Sequence, residues 1–260
     1  MAQVGIHALV GLVLGEQIRR RFNPDPNAGS MALGFLVGSI APDLDVIPVA
    51  AALPLDPELA LLLHRSFSHS LFAVGVVWLV SLALSLLLRD RAIRLWGWGA
   101  GLGVGLHILL DLLFWFTPVD LFWPASALGL AGPVDLWSWW ETPRLLGRLL
   151  AAAEFGAMAL YFGALAARGA ARGLPDRQVE AARRMQRFAL GYGLLLLAAS
   201  FLLGSETIYR ILMLLPMALL SLPASLYLTV AMREILTGER PAEREAEEAG
   251  FLTVGAAERA

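Results

Sequence analysis

Five long apolar stretches constrain the fold of this chain more than any other feature. A helix needs about 20 apolar residues to cross the hydrocarbon core of a membrane. The five stretches that meet this requirement comfortably are 66–88, 95–117, 145–167, 185–204 and 208–232. Composition agrees with them, because 58% of the residues are hydrophobic and only 16% are charged, whereas an ordinary soluble domain is about 25% charged. The sequence therefore predicts an integral membrane protein.

Two weaker apolar segments precede these five. Segment 4–18 is too short to cross the membrane upright, and segment 31–53 is interrupted by Pro42 and Pro48. Broken backbone at membrane depth is tolerated where protein or a polar cavity satisfies its polar groups. We therefore expect an all-α, polytopic helical bundle, with five clear transmembrane helices and two shorter or broken N-terminal membrane helices.

The first segment lacks a basic region ahead of it, which is not typical of a cleaved signal peptide.

The distribution of arginine predicts the orientation of the bundle. The chain has 20 basic residues, all of them arginines. If the seven segments alternate in direction, sixteen arginines fall on one side of the membrane. The other side receives only Arg65, Arg144, Arg148 and Arg210. Cytoplasmic flanks carry the excess of positive charge, so we expect an outer N-terminus and a cytoplasmic C-terminus.

Four regions follow from this topology. Residues 1–124 carry the polar motifs, and residues 125–144 form an outer interfacial loop rich in tryptophan, a residue that favours the headgroup zone. Residues 145–233 supply accessory transmembrane helices. Residues 234–260 form a charged cytoplasmic tail.

Histidine and aspartate are concentrated in the first of these regions. All four histidines lie there, and the predicted topology sends them, with three aspartates, to the outer half of the membrane. The seven residues are His7, Asp43, Asp45, His64, His69, His107 and Asp111. Their shared depth predicts one metal site.

Each part of this set also has a simpler interpretation. His107 and Asp111 are spaced i, i+4 and share one face of a helix, where they can bind a metal or only each other. Asp43 and Asp45 lie in a turn and can ligate a metal or cap a helix. His7, alone near the terminus, is the least secure ligand.

The motif His64-Arg65-Ser66-Phe67-Ser68-His69-Ser70 brackets the start of the next membrane segment. His64 and His69 are five residues apart and would diverge on one continuous helix. We expect His64 before the helix and His69 in its first turn, with Ser66 or Ser68 as the N-cap. Arg65 suits bidentate phosphate binding, or contact with lipid headgroups at the interface.

The ligand types narrow the choice of metal. The chain contains no cysteine, so a site must use nitrogen and oxygen donors. Zinc suits this set best, and manganese or iron is possible. Seven candidate donors exceed the usual four or so of a structural zinc. They predict one ion with supporting residues, or two ions as in many phosphoester hydrolases.

These motifs together resemble those of bacterial inner-membrane proteins described as membrane-bound metal-dependent hydrolases, a family that includes a LexA-regulated member. The shared pattern is an early His, then Gly-x-x-x-Pro-Asp-x-Asp, His-Arg-x-x-Ser-His-Ser, His-x-x-x-Asp and Trp-Pro. In this chain it is carried by His7; Gly38, Pro42, Asp43 and Asp45; His64, Arg65, Ser68, His69 and Ser70; His107 and Asp111; and Trp123 and Pro124. The resemblance covers residues 1–124.

That family is distantly similar to the zinc phospholipase C and P1 nuclease group, whose clustered zinc ions cleave phosphoesters. The similarity implies zinc ligands at His107 and Asp111, together with His7, one of Asp43 and Asp45, and one of His64 and His69. The soluble enzymes use further downstream ligands. No histidine follows His107 here, so we do not expect a full three-metal centre.

The leading hypothesis is a metal-dependent hydrolase that cleaves a phosphoester of a membrane lipid, a phospholipid, at the outer face. Asp45 or Asp43 would act as general base and Arg65 would hold the phosphate. One alternative is a non-catalytic role, as a metal-stabilised membrane protein or stress sensor. Another is metal transport, which predicts that polar residues continue to the cytoplasmic side. The inner halves of the motif helices are instead nearly all apolar, and Glu16 is the main exception. We expect no nucleic-acid partner.

Overall fold

The computed structural model describes residues 4–22, 27–52, 66–114, 116 and 118–237. Its α-helices are α1 Val4–Arg21, α2 Ala28–Ile40, α3 Val46–Ala52, α4 Leu71–Leu88, α5 Arg91–Phe114, α6 Arg144–Ala171, α7 Asp176–Leu202, α8 Glu206–Pro216, α9 Leu222–Ala231 and α10 Glu234–Thr237. Two 3₁₀ turns, Ala41–Asp45 and Phe67–His69, follow α2 and precede α4. A π-helical turn, Met217–Ser221, joins α8 to α9.

The described helices confirm the predicted all-α polytopic bundle. Among the described residues, six segments are long and apolar enough to cross a membrane: Ala28–Val49, Leu71–Leu88, Arg91–Phe114, Arg144–Ala171, Asp176–Leu202 and Glu206–Ala231. The last five correspond to the five clear segments of the sequence. The first contains the interruption expected at Pro42, which lies in the first positions of the 3₁₀ turn after α2. Helix α1, with 18 residues, is not among the six.

Helices α2 and α5 pack closely, because their backbones meet through glycine. The four glycines at the crossing are Gly34 and Gly38 on α2 and Gly99 and Gly103 on α5. A Cβ at Gly38 would overlap the carbonyl oxygen of Ala100. On both helices the glycines are four residues apart, the small-xxx-small spacing that lets membrane helices approach closely.

Helix α1 packs against α2 by the same means. A Cβ at Gly11 would overlap the hydroxyl of Ser39, and one at Gly15 would lie 3.2 Å from the carbonyl oxygen of Ala32. The Ser39 hydroxyl lies 2.8 Å from the carbonyl oxygen of Leu36 and 3.2 Å from that of His7. Helices α1, α2 and α5 therefore form a tightly packed unit.

Helices α6 to α9 complete the bundle around this unit. Phe155, Tyr161 and Phe162 of α6 are fully buried in the main core. Leucines on the periphery are exposed, including Leu87 at 77% and Leu202 at 82%. Apolar side chains exposed on this scale suit a lipid environment and not water.

The loop between α5 and α6 is folded against the end of the bundle where α4 begins. Val119 and Val134 exchange two backbone hydrogen bonds of 3.0 and 2.9 Å. The amide of Leu71, at the start of α4, donates to the Leu121 carbonyl at 3.0 Å. Trp137 donates from its indole to the carbonyl of Leu112 at 3.0 Å. The placement of this loop at the lipid headgroups stays a prediction.

We predict that Gly103→Ala destabilises the protein, because its Cβ would overlap the carbonyl oxygen of Phe35 across the crossing. The expected loss is about 1–3 kcal/mol, as for an overpacked core. The matched control is Gly105→Ala two residues further along α5, where nothing lies within 4 Å of the added Cβ. Its expected effect is neutral or slightly stabilising, because alanine favours a helix more than glycine does. Thermal unfolding in detergent measures both, and equal melting temperatures would contradict the close approach.

Candidate metal centre

Five polar side chains from separate parts of the chain converge at one end of the bundle. They are His7 of α1, Asp43 of the turn after α2, His69 before α4, and His107 and Asp111 of α5. Each is at most 2% exposed. The structure thus brings together five of the seven predicted donors. His64 and Arg65 lie outside the described residues.

Local structure explains how His69 reaches this cluster. The N-cap of α4 is Ser70, which has an extended backbone and accepts a hydrogen bond from the Ala73 amide at 3.2 Å. The expectation that Ser66 or Ser68 caps this helix, with His69 in its first turn, is therefore wrong. Because Ser70 is the cap, His69 ends the preceding 3₁₀ turn and remains outside the regular helix.

The donor atoms lie within a few ångströms of one another. Asp111 places one carboxylate oxygen 3.4 Å from His7 Nε2 and the other 3.4 Å from His69 Nε2. Asp43 places one carboxylate oxygen 3.6 Å from His7 Nδ1 and the other 3.9 Å from His107 Nε2. The rings of His7 and His107 are stacked, with centroids 3.7 Å apart.

These atoms form two overlapping groups. His7, His107 and Asp111 each offer one donor atom within 4.8 Å of the others, and so do Asp43, His69 and His107. His107 belongs to both groups.

The backbone of α2 determines which nitrogen His107 turns toward the cluster. Its Nδ1 lies 2.9 Å from the carbonyl oxygen of Ser39. A carbonyl oxygen only accepts hydrogen bonds, so the proton of a neutral His107 belongs on Nδ1. The lone pair of Nε2 then faces His69 Nε2 at 3.0 Å. Metal-ligating histidines are commonly held in this way, with the second ring nitrogen bonded to a carbonyl or carboxylate.

Asp45 lies behind His69 and outside both donor groups. Its carboxylate is 3.4 Å from His69 Nδ1 and accepts a 3.2 Å hydrogen bond from the Ser68 hydroxyl. That hydroxyl is also 2.9 Å from His69 Nδ1. The two aspartates of the motif therefore have different surroundings. Asp43 lies inside the cluster, whereas Asp45 orients His69 through its Nδ1, on the side of the ring away from the cluster.

The chemistry of the cluster suits a divalent cation. Imidazole and carboxylate donors favour zinc, manganese or iron. Two carboxylates buried at this depth are costly unless a positive charge compensates them, and a divalent ion would do so. The cluster is therefore able to hold a metal, through His7, Asp43, His69, His107 and Asp111.

A sequence model for the YdjM inner membrane protein family matches residues 1–201. The chain belongs to this family. The match confirms the predicted bacterial inner-membrane family, and it continues past residue 124 through α6 and most of α7. No curated protein and no solved structure matches the chain significantly. The orientation of the termini stays a prediction from the arginine distribution.

In this YdjM family member, the sequence did not predict the role of Glu154 beside the site. Glu154 of α6 is 1% exposed, and its carboxylate accepts hydrogen bonds from the amides of Gly5 and Ile6, the latter at 3.3 Å. It thereby caps the N-terminus of α1 and fixes the helical turn that carries His7. A lone glutamate within an apolar segment is the signal that could have revealed it, because ionisable residues in membrane helices usually have a specific role.

We predict that Glu154→Ala loosens the N-terminal turn of α1, because the buried Gly5 amide and the partly buried Ile6 amide lose their acceptor. The expected loss of stability is about 1–3 kcal/mol. Hydrogen exchange followed by mass spectrometry should show faster exchange of the α1 amides near His7. The control is Glu180→Ala, which removes an exposed glutamate paired with Arg184 and Arg187 and should leave this exchange unchanged. Equal exchange rates in wild type and Glu154→Ala would show that Glu154 does not hold this turn.

Proposed function

We propose that the protein is a membrane-embedded, metal-dependent hydrolase that cleaves a phosphoester bond of a lipid. The observation that carries the proposal is the convergence of five buried His and Asp side chains, with His107 Nε2 directed into the cluster by the Ser39 carbonyl. The resemblance of the motifs to metal-dependent hydrolases supports the same reaction class.

The described donors favour a single ion, with zinc the best match. His107 is common to both donor groups, and its Nδ1 is committed to Ser39. Its one remaining nitrogen cannot serve two ions. When bound, zinc would lower the pKa of a coordinated water and polarise the phosphoryl oxygen.

Asp45 is the better candidate for the general base. Asp43 belongs to a donor group, whereas Asp45 stands outside both groups. The side chain of Asp45 is 8% exposed against 3% for Asp43, so a water molecule has better access to it. The role of Arg65 in holding the phosphate stays a prediction.

An aromatic surface beside His69 supports a lipid substrate. Phe67 and Phe72 flank His69 in sequence and are 45% and 46% exposed. Trp123 of the loop packs on both rings, with centroid distances of 5.2 and 5.5 Å. Apolar side chains of this size suit the acyl and glycerol portion of a lipid whose phosphate points to the cluster.

A non-catalytic role is the second candidate, favoured by the near-complete burial of the five donors. Closed structural sites and open catalytic sites use the same residue types. In that case the ion would brace α1, α2, α4 and α5 against one another. Metal binding without any hydrolysis would identify this role.

Metal transport has less support. Glu16, an acidic residue near the opposite end of α1, is held by Arg19 and Arg20 at 2.9 and 3.0 Å. Its carboxylate is therefore engaged in ion pairs on its own helix.

We predict that the purified wild-type protein holds about one zinc ion per chain, and that His107→Ala and Asp111→Ala lose it. Each substitution removes a donor from the centre of the cluster. Inductively coupled plasma mass spectrometry on detergent-purified protein measures the metal content. Asp176→Asn, at the start of α7, is the control and should retain the ion. A wild-type protein that stays metal-free after loading with zinc, manganese and iron would overturn the metal proposal.

We predict that Asp45→Asn retains zinc at saturating concentration but loses hydrolysis, because asparagine cannot accept a proton from water. The expected fall in rate is about 100- to 10,000-fold. The assay follows release of the phosphorylated headgroup from glycerophospholipids by mass spectrometry, with metal content measured on the same samples. Full activity in Asp45→Asn would exclude it as the base, whereas metal-loaded wild type without activity would leave the bracing role.

A further inference from the structure

A separate cavity lies between the N-terminal ends of α6 and α8. It has a volume of about 390 Å³, and its polar lining includes Arg144, Arg148, Arg210 and Glu206. This volume falls in the range of small-molecule sites, about 300–1,000 Å³. No residue of the His/Asp cluster lines it. The cavity is therefore a distinct feature of the bundle.

Arg148 forms a fixed wall of the cavity. Its side chain is 4% exposed, and its Nε donates to Glu206 at 3.1 Å. Its terminal nitrogens donate to the carbonyls of Leu203 at 2.7 Å and Ser205 at 3.2 Å. The Tyr209 ring packs on the guanidinium at 4.7 Å, and its hydroxyl donates to the Arg148 carbonyl at 2.7 Å. These contacts hold the guanidinium in one position, so Arg148 serves the site as a rigid positive charge.

Arg144 and Arg210 are the arginines that can reach a ligand. Each donates through Nε to Glu206, at 3.0 and 3.3 Å, and their side chains are 52% and 64% exposed. Arg144 also bonds the Gly204 carbonyl. Within the described part of the chain, the terminal nitrogens of Arg210 form no hydrogen bond. Donor groups therefore remain for a ligand.

The electrostatics of the cavity favour an anion. Three guanidinium groups face one carboxylate, which leaves a net charge of +2. Helix α6, of 28 residues, begins at Arg144 without a side-chain N-cap. The free amides at the start of a long helix add partial positive charge and are suited to binding phosphate.

The arginine distribution provides an independent reason to expect a ligand. The predicted topology assigns only four of the 20 basic residues to the outer side, and three of those four line this cavity. These three arginines therefore depart from the usual bias of positive charge toward the cytoplasm, and Glu206 neutralises only one of the three. A guanidinium fork matches two oxygens of a phosphate group.

We propose that this cavity binds phosphate, in the form of the headgroup of an anionic phospholipid. The proposal does not depend on the hydrolase function, because it uses none of the His/Asp residues. Phe116 and Pro143 in the lining supply apolar surface for the glycerol beside the phosphate. Free inorganic phosphate shares the same chemistry, and the experiment distinguishes the two sources.

The test is native mass spectrometry of the full chain, released from detergent with added phosphatidylglycerol, diacylglycerol or inorganic phosphate. The variants are Arg144→Gln, Arg210→Gln and the double substitution, which spare the buried Arg148. Arg187→Gln is the matched control, since Arg187 is 68% exposed and paired with a glutamate at 2.8 Å, as Arg210 is with Glu206. The melting temperature of each variant confirms that it is folded.

The expected result is binding of phosphatidylglycerol and not diacylglycerol, with affinity about fivefold weaker for each arginine removed. Arg187→Gln should bind like the wild type. Binding of inorganic phosphate that is lost in the same variants, without binding of the lipid, would assign the site to free phosphate. Equal binding of phosphatidylglycerol and diacylglycerol, or equal affinities in the wild type and the double variant, would overturn the proposal.

Discussion

The contact on which the site depends is the close approach of the α2 and α5 backbones. Lipid is as apolar as a leucine side chain, so membrane helices gain little from hydrophobic burial and associate through tight packing instead. The glycines of the two helices permit that packing, and its consequence is specific. It places the last turn of α2 against α5, where the Ser39 carbonyl meets His107 Nδ1. The next residues of the chain turn through Pro42 and deliver Asp43 to the other nitrogen of the same ring. The crossing of α2 and α5 thus determines both the orientation of the His107 ring and the position of Asp43 beside it.

The features that the sequence could predict are those encoded locally. Hydropathy over about 20 residues identifies a membrane span, and the i, i+4 spacing alone puts His107 and Asp111 on one face. The convergence of the motifs also follows from local information, since alternating spans send them to one end. The different surroundings of Asp43 and Asp45 could not be predicted, because they depend on how the 3₁₀ turn meets His69. The role of Glu154 could not be predicted for the same reason. Its partners are amides of α1, almost 150 residues earlier in the chain, and no spacing rule connects them.

Buried charge in the bundle is compensated in two different ways. Glu154 and Arg148 are satisfied by the protein itself, through backbone amides for the first and through carbonyls and Glu206 for the second. Both therefore position helices. In the His/Asp cluster the carboxylates face imidazole nitrogens, and a neutral His107 cannot donate from Nε2 while its proton lies toward Ser39. A cation is the species that would satisfy lone pairs and carboxylates together. This contrast separates a candidate metal site from the other buried ionic contacts of the bundle.

Buried hydroxyls of α6 and α9 bond to neighbouring helix groups and not to the His/Asp cluster. Ser225 of α9 donates to the Ser221 carbonyl of the preceding π-helical turn at 2.8 Å, and Thr229 donates to the Ser225 carbonyl at 2.6 Å. Tyr161 of α6 bonds to Thr229. These hydroxyls are used in helix contacts and do not extend the cluster toward the opposite side.

Helix α6 instead links the cluster to the arginine cavity, because Glu154 and Arg148 are six residues apart, or about 9 Å along the axis. One rigid helix thus supports His7 through its cap and the cavity through its first turns. A lipid held by its phosphate at the arginines would therefore lie at the same end of the bundle as the His/Asp cluster.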